Sequence, residues 1–324
     1  MAVMQMRRIS ICALKQNRKS ILEHLQELGW MEVDLDSKEE FDRMDTSGAE
    51  NAFQNRVRLA EQALGILDQY APEQTSVFAS LAGKAVMDGD IYDIAAPRRS
   101  EYSKTAEKLV GMEKEISALK AKIVKLENQT EELKPWLNLS VPLNTSGTKR
   151  CSFFAGTLPE SLNEVQLMEK MAEIAPDLDK FEIEILSGDQ DRTYLAVICM
   201  KEEEQETEDA LRKLGFSRAS GVYKRKPADE VTQIEAEIDK AHVQISNLIL
   251  KIKDLKDERD HLRLMSDYYK LRAEKYDVLG KLPQTQSVFA IGGYIPERCA
   301  DTLKNELESN YDAAVFIENI KDDE

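Results

Sequence analysis

The stretch that decides the fold is residues 231–276, which read VTQIEAEIDKAHVQISNLILKIKDLKDERDHLRLMSDYYKLRAEKY. Apolar side chains recur in it at alternating steps of three and four residues, and only Arg259 and Ser266 interrupt them. A 3.5-residue period held for about six heptads predicts a long helix that keeps one stripe on partner helices. At 1.5 Å per residue this helix would span roughly 69 Å. We therefore predict a helical rod in which Arg259 is a weak point and its replacement by leucine is neutral or stabilising.

Two upstream stretches supply partner helices. Residues 102–133 follow the same three-four alternation, and residues 53–71 carry a shorter seam of the same kind. As helices they would measure about 48 Å and about 28 Å, which together match the long helix. This predicts that the long helix runs antiparallel to the two upstream helices placed end to end. Three helices of one compact bundle are the alternative.

The composition favours a globular, helix-rich protein. The chain has 324 residues, of which 42% are apolar and 32% charged, and its net charge is −16. Such acidity argues against binding to nucleic acid or to an anionic membrane surface, and favours a partner with basic faces. The longest apolar run, residues 194–200, is too short to span a bilayer, and no signal peptide is apparent. We expect a soluble, cytoplasmic chain.

Both ends of the chain have the pattern of a strand, a helix and a second strand. Alternating apolar residues predict strands, helical spacing predicts the helices, and Gly29 is a usual residue just past a helix end. The predicted elements are strand 7–14, helix 18–28 and strand 30–35, then strand 287–295, helix 297–309 and strand 313–320. We predict that they fold together into one ferredoxin-like lobe of residues 1–48 plus 286–324.

The middle of the chain predicts a second ferredoxin-like lobe, residues 149–226. Its elements are strand 151–158, helix 161–174, strands 181–186 and 193–200, helix 203–214 and strand 222–226. This βαββαβ order is the ferredoxin-like one. The fold class is therefore α+β, with two such lobes joined by a rod of residues 49–148 and 227–285 into a dumbbell.

Residues 72–99 show no clear period, and we expect a short helix at 77–86 within them. Asp88, Asp90 and Asp93 suggest a calcium loop, but Asp93 stands where that loop needs glycine. Calcium is therefore not expected there.

Several short motifs carry a resemblance to a known family. They are MRRIS at 6–10, LG at 28–29, KPW at 134–136, FAGTLP at 154–159 and AIGGYIP at 290–296. In this order they resemble the soluble N-terminal half of subunit I of the bacterial and archaeal V/A-type rotary ATPase, the counterpart of eukaryotic V-ATPase subunit a. The resemblance implies a two-lobed stator arm on the cytoplasmic face of the membrane, bound to peripheral stalks of E- and G-type subunits. A membrane half follows in that family, so we expect this sequence to be truncated and to carry no ion-translocation residue.

Motifs for chemistry are scarce. No G-x-x-x-x-G-K-[ST] loop is present, which argues against direct nucleotide binding. His242 and His261 would lie about 28 Å apart on one helix, too far to share a metal ion, and His24 is alone. All three histidines are predicted to be solvated. We assign no catalytic, cofactor or metal residues and expect no cofactor.

The cysteines and one acidic run have simple interpretations. Cys12, Cys151, Cys199 and Cys299 have no C-x-x-C spacing, so we predict free, mostly buried thiols. The glutamates of residues 202–204 open a helix, where negative charge is favoured.

Three function classes follow from these observations. The first is a non-catalytic stator subunit that links peripheral stalks to the membrane sector for proton or sodium transport, with the partner-binding surface in residues 149–226. The second is an ATPase head split by a coiled coil, against which the missing nucleotide loop counts. The third is a ferredoxin-like regulatory protein that binds a small effector, or a coiled-coil scaffold unrelated to ATPases.

Overall fold

A computed structural model describes residues 4–34, 42–73, 96–219, 221 and 223–319. It divides into two compact units, each described here by itself. The terminal unit is Met1–Gly111 with Ile252–Glu324, and the central unit is Met112–Lys251. The predicted helix 77–86 and the acidic residues Asp88, Asp90 and Asp93 lie outside the described residues.

The described residues form a mixed α+β structure with two four-stranded antiparallel sheets and long helices. The α-helices, numbered here in chain order, are α1 (Arg18–Leu28), α2 (Ser47–Tyr70), α3 (Arg99–Leu133), α4 (Glu164–Ile174), α5 (Glu204–Lys213), α6 (Pro227–Lys253), α7 (Arg259–Lys281) and α8 (Glu297–Asn310). The strands are β1 (Met6–Leu14), β2 (Glu32–Asp34), β3 (Cys151–Leu158), β4 (Phe181–Gly188), β5 (Thr193–Met200), β6 (Ser217–Arg218), β7 (Val288–Pro296) and β8 (Ala314–Asn319).

The sheet of the terminal unit combines strands from both ends of the chain. Its order is β2-β7-β1-β8, and β1 pairs antiparallel with both β7 and β8. One face of this sheet packs on α1 and α8, where Ile9, Phe289, Leu25 and Leu303 share one buried core. Alternation along β1 places every second side chain in that core, as the strand period requires.

The sheet of the central unit has the order β4-β5-β3-β6. Helices α4 and α5 cover one face, with Leu167 and Leu211 in the shared core. The opposite face is buried under side chains of α3, α6 and the 3-10 turn Lys134–Trp136. The proline and tryptophan of that turn end α3 as the sequence predicts, and Trp136 is 6% exposed.

The long helix predicted from residues 231–276 is interrupted, which corrects the prediction of one continuous rod helix. Helix α6 ends at Lys253, a 3-10 turn follows at Lys256–Glu258, and α7 begins at Arg259. Arg259 is 4% exposed and bonds to the C-terminal end of α2. The break therefore coincides with Arg259, one of the two polar residues of the seam, and its specific partners argue against the prediction that it is a weak point. Elsewhere in the seam, Ile245 and Leu248 of α6 are buried, at 9% and 7% exposed.

Three boundaries also differ from the predictions. Strand β6 lies at Ser217–Arg218, and residues 223–226 form no strand. Gly215, with φ 86°, turns the chain sharply after α5, so that the next residues pair at once with β3. Helix α4 begins at Glu164 because the Asn163 side chain accepts a hydrogen bond from the Gln166 amide, in a capping box. Strand β2 covers only Glu32–Asp34 of the predicted 30–35.

Candidate partner-binding site

In the described residues, the side chains considered for catalysis or metal binding do not gather into one site. Within the described ranges, no group of three or more His, Cys, Asp or Glu side chains could hold a metal ion. His24 lies 3.0 Å from the Glu306 carboxylate and is only partly exposed, so its predicted solvation is wrong. His242 and His261 are both exposed, as predicted, and the His261 ring stacks on the Tyr102 ring with their centroids 4.7 Å apart.

The four cysteines are free thiols, as predicted, but only Cys199 is buried. The other three are partly exposed: Cys12 lies on the face of β1 away from the core, Cys151 begins β3, and Cys299 packs against the edge of the terminal core. Burial raises the pKa of the Cys199 thiol above its usual value. A thiol kept protonated is a poor nucleophile, so Cys199 has a packing role.

The outer face of α4 carries the most distinctive surface of the central unit. Leu167 and Met171 anchor this helix in the core, each 1% exposed. On the opposite side, Val165 is 66% exposed and Met168 is 43% exposed, and Ala172 is also exposed. These three residues follow the i, i+3, i+7 spacing of a single helix stripe. We call Val165, Met168 and Ala172 the α4 stripe.

Acidic residues border the α4 stripe. Glu169 and Glu173 are exposed, stand four residues apart and therefore lie along one side of it. The one lysine of this helix, Lys170, forms a 2.5 Å ion pair with Glu160. An exposed apolar stripe with acidic neighbours is the complement of an amphipathic helix that carries lysine or arginine beside its own apolar stripe.

An ion-pair network supports the same unit from the edge of the sheet. Glu208 of α5 accepts two hydrogen bonds from the Arg218 guanidinium of β6, at 2.9 and 2.6 Å. The hydrogen bonds from Arg218 hold the pKa of the Glu208 carboxyl below its usual value. Arg218 also lies over the Phe154 ring at 4.7 Å. These contacts fix the short strand β6 against α5, so that the helical layer is held firmly on the sheet.

A shallow groove of about 420 Å³ lies at the start of β4. Phe181, Ile198, Cys151 and Met200 contribute to its lining, and Ile198 is 49% exposed. Lys180 at its rim pairs with Glu203 at 3.0 Å, and the hydrogen bond to Glu203 raises the pKa of the ammonium group. The lining is mainly apolar with charged groups at its rim, which suits a contact surface.

Comparison with known proteins shows which proteins the chain resembles. No protein-family profile matches the chain. The chain is 25% identical over 353 aligned positions to A-type ATP synthase subunit I of Methanocaldococcus jannaschii, covering 100% of this chain and 49% of that protein. The resemblance to subunit I is confirmed. The chain thus spans about half the length of the curated relative that it matches.

The fold also aligns with a crystal structure described as the cytoplasmic N-terminal domain of subunit I, homolog of subunit a, of V-ATPase. That alignment has 14% identity and a TM-score of 0.49, and covers 96% of this chain and 100% of that one. Among the residues that the structure describes, no helix is long and apolar enough to cross a membrane.

The sequence led us to predict a partner-binding surface in residues 149–226, but it did not lead us to single out the α4 stripe within them. A signal was present. Val165 and Met168 are apolar, yet they lie off the Leu167 and Met171 stripe that fits the core. A helix that carries apolar residues outside its core-facing stripe as well as within it indicates a second contact surface.

Proposed function

We propose that this chain is a non-catalytic stator subunit of a V/A-type rotary ATPase. It acts as a soluble arm on the cytoplasmic face of the membrane and links peripheral stalks of E- and G-type subunits to the membrane sector, for proton or sodium transport. The observation that carries the proposal is the similarity of the whole chain to A-type ATP synthase subunit I. In this role the chain transmits load and needs neither a nucleotide nor a cofactor of its own.

The proposed architecture comprises two ferredoxin-like lobes joined by a helical rod. Both sheets support it. If the four strands of each sheet are numbered in chain order, their order across the sheet is 2-3-1-4 in both. That is the order expected for a βαββαβ lobe. The dumbbell predicted from the heptads is part of this proposal, with residues 1–48 and 286–324 in the membrane-proximal lobe and 149–226 in the distal lobe.

Within the distal lobe, we assign the stalk contact to the α4 stripe. The proposed partner is a helical stalk, and helices bind such stripes through apolar anchors at i, i+3 and i+7. Exposed Val165 and Met168 would supply the anchors, and Glu169 and Glu173 would attract basic residues of the stalk. Binding through one helix face buries little area, so each contact is weak and the assembled complex gains firmness from several.

The test measures binding of the purified E- and G-type heterodimer to the full chain by surface plasmon resonance. We expect the double variant Val165→Asp with Met168→Asp to weaken binding by at least about tenfold, a change of about 1.4 kcal/mol. Both positions are exposed on α4, so the variant should fold normally. Val243→Asp is the matched control, because Val243 is 60% exposed on helix α6 of the same unit.

The outcomes separate the alternatives. Equal affinity for the wild type and the α4 variant, with strong stalk binding, would place the contact elsewhere and leave the stator role standing. Absence of stalk binding by the wild type, combined with saturable binding of a metabolite in equilibrium dialysis, would favour the regulatory effector-binding protein instead.

A further inference from the structure

The sheet of the terminal unit has a face that no described element covers. Ile9, Ile11 and Ala13 of β1 point into the core, so the alternate residues of β1 point to the other side. On that side lie Ser10, Cys12, Leu14, Ala290, Ala314 and Phe316, which we call the open sheet face.

The strand register shows that these side chains are neighbours. Ser10 stands between Gly292 of β7 and Phe316 of β8. Cys12 stands between Ala290 and Ala314 in the next row. Phe316 is 62% exposed and Leu14 is 37% exposed. Small side chains therefore form a flat floor, and the two large apolar residues rise from its border.

The central unit shows what such a face receives when it is covered. Its sheet has the equivalent strand order, and the face away from its two helices carries Phe153, Ala155 and Ala196, each no more than 9% exposed. Leu126, Leu133 and Ile234 of helices α3 and α6 lie over that face. Within one chain, the same arrangement of strands is thus buried by apolar helix stripes in one unit and left exposed in the other.

Charge indicates what kind of helix would fit the open sheet face. One end of the face is a cross-strand row of Glu318, Arg8, Tyr294 and Glu32. Both glutamates are exposed, and they outnumber the single arginine. The row therefore has a net negative charge and would favour a partner that carries lysine or arginine at that end.

We infer that the open sheet face is a second docking surface, which receives the apolar stripe of an amphipathic helix with basic residues from another polypeptide. Phe316 and Leu14 would flank this helix, and the small side chains of Ser10, Ala290 and Ala314 would let it approach the sheet closely. The inference concerns a different unit from the α4 stripe, and it does not depend on the stalk contact proposed there.

The first experiment places the photo-crosslinking residue benzoylphenylalanine at position 316 of the full chain in its purified native complex. The control position is Leu271, which is 44% exposed on helix α7 of the same unit. Sequencing of the cross-linked peptide should identify an amphipathic helix of another polypeptide, with lysine or arginine beside its apolar stripe. Cross-links to lipid, to a second copy of this chain or to a non-helical segment would overturn the inference, and so would a yield no higher than that from position 271.

The second experiment uses the identified helix as a synthetic peptide and measures its affinity for the full chain. Phe316→Asp should weaken binding at least about tenfold, whereas Leu271→Asp should leave it unchanged. Since Phe316 is already exposed, thermal unfolding of the variant should match that of the wild type. Equal affinity of the wild type and Phe316→Asp would refute the docking surface, even if the stalk still binds at the α4 stripe.

Discussion

Replacement of Arg259 by leucine is the perturbation that best tests how the terminal unit is held together. A heptad seam alone predicts a neutral or stabilising change, whereas the structure predicts a loss. The guanidinium group is 5% exposed and forms ion pairs with Asp68 and Glu73, the latter at 3.3 Å. It also donates a 2.8 Å hydrogen bond to the Ala71 carbonyl, just past the end of α2.

The size of the loss follows from the solvation of the partners. Removal of one member of a fully buried pair costs about 3–5 kcal/mol. Asp68 is 67% exposed and Glu73 is 40% exposed, so water can compensate both carboxylates once the arginine is gone. The half-buried contact with the Ala71 carbonyl, which satisfies a helix-end acceptor, is compensated less well by water. We therefore expect Arg259→Leu to lower the free energy of unfolding by about 2 kcal/mol. This value lies in the lower half of the range for hydrogen bonds to charged groups, about 1.5–3 kcal/mol.

The assay must report on the terminal unit, because a chain with two units need not unfold in one step. Trp30 packs against the core of the terminal unit, and Trp136 lies in the central unit. Urea unfolding in a Trp136→Phe background, followed by fluorescence, then follows the unit that contains Arg259. Hydrogen exchange of the last turn of α2 should also accelerate.

Arg263→Leu is the matched control, since it removes the same group one helical turn further along α7. Arg263 is 48% exposed and pairs with Glu73 at 2.6 Å and with Asp260 at 3.0 Å. Surface ion pairs contribute about 0–1 kcal/mol, so this variant should lose much less stability. If Arg259→Leu is as stable as the wild type, or loses no more than Arg263→Leu, the inference that Arg259 fastens the end of α2 is wrong.

Three further changes test the packing of the central unit. Leu248→Ala should cost about 2–4 kcal/mol in urea unfolding, because Leu248 is 7% exposed and its truncation leaves a cavity. Glu208→Gln should destabilise the unit by about 1–3 kcal/mol at neutral pH, because Arg218 loses its charged acceptor. The pKa of Glu208 is lowered in the folded state. The ionised carboxylate therefore stabilises the fold above the usual carboxyl pKa, and this contribution is lost as pH falls through the folded pKa. The unfolding curves of Glu208→Gln and the wild type should converge on acidification. Gly156→Ala should lower the melting temperature clearly, because the new Cβ would collide with the Phe216 ring and the strand cannot shift without loss of register.

Each of these changes has a control or a refuting result. Val243→Ala, at a position 60% exposed on the same helix as Leu248, should change stability little. Gly65→Ala should raise stability by about 0.5–1 kcal/mol, because this exposed helical glycine has nothing within 4 Å of an added Cβ. If the free energy of unfolding lost in Glu208→Gln stays the same from neutral to acidic pH, the charge of the Glu208 carboxylate does not account for the stabilising contact with Arg218.

Local patterns in the sequence were enough to determine the type of most elements. Alternation predicted β3 and β5 with the bounds that the structure has, and Gly29 ended α1 where its φ of 61° suits glycine. Helical spacing likewise found α2, α3 and the apolar seam of α6. These features depend on neighbours within a few residues, so they can be read from one stretch of chain.

Tertiary structure decided the features that depend on distant residues. The break before Arg259 coincides with a pairing to Asp68 that spans 191 positions of the chain, and no local period could reveal that pairing. The position of β6 depends on the Phe216 ring packing against Gly156. The α4 stripe and the open sheet face could be recognised only from the burial of each side chain in the folded structure. Helix and strand periods state which side chains share a face. Whether that face is buried depends on which other elements pack against it, and this is a property of the assembled chain.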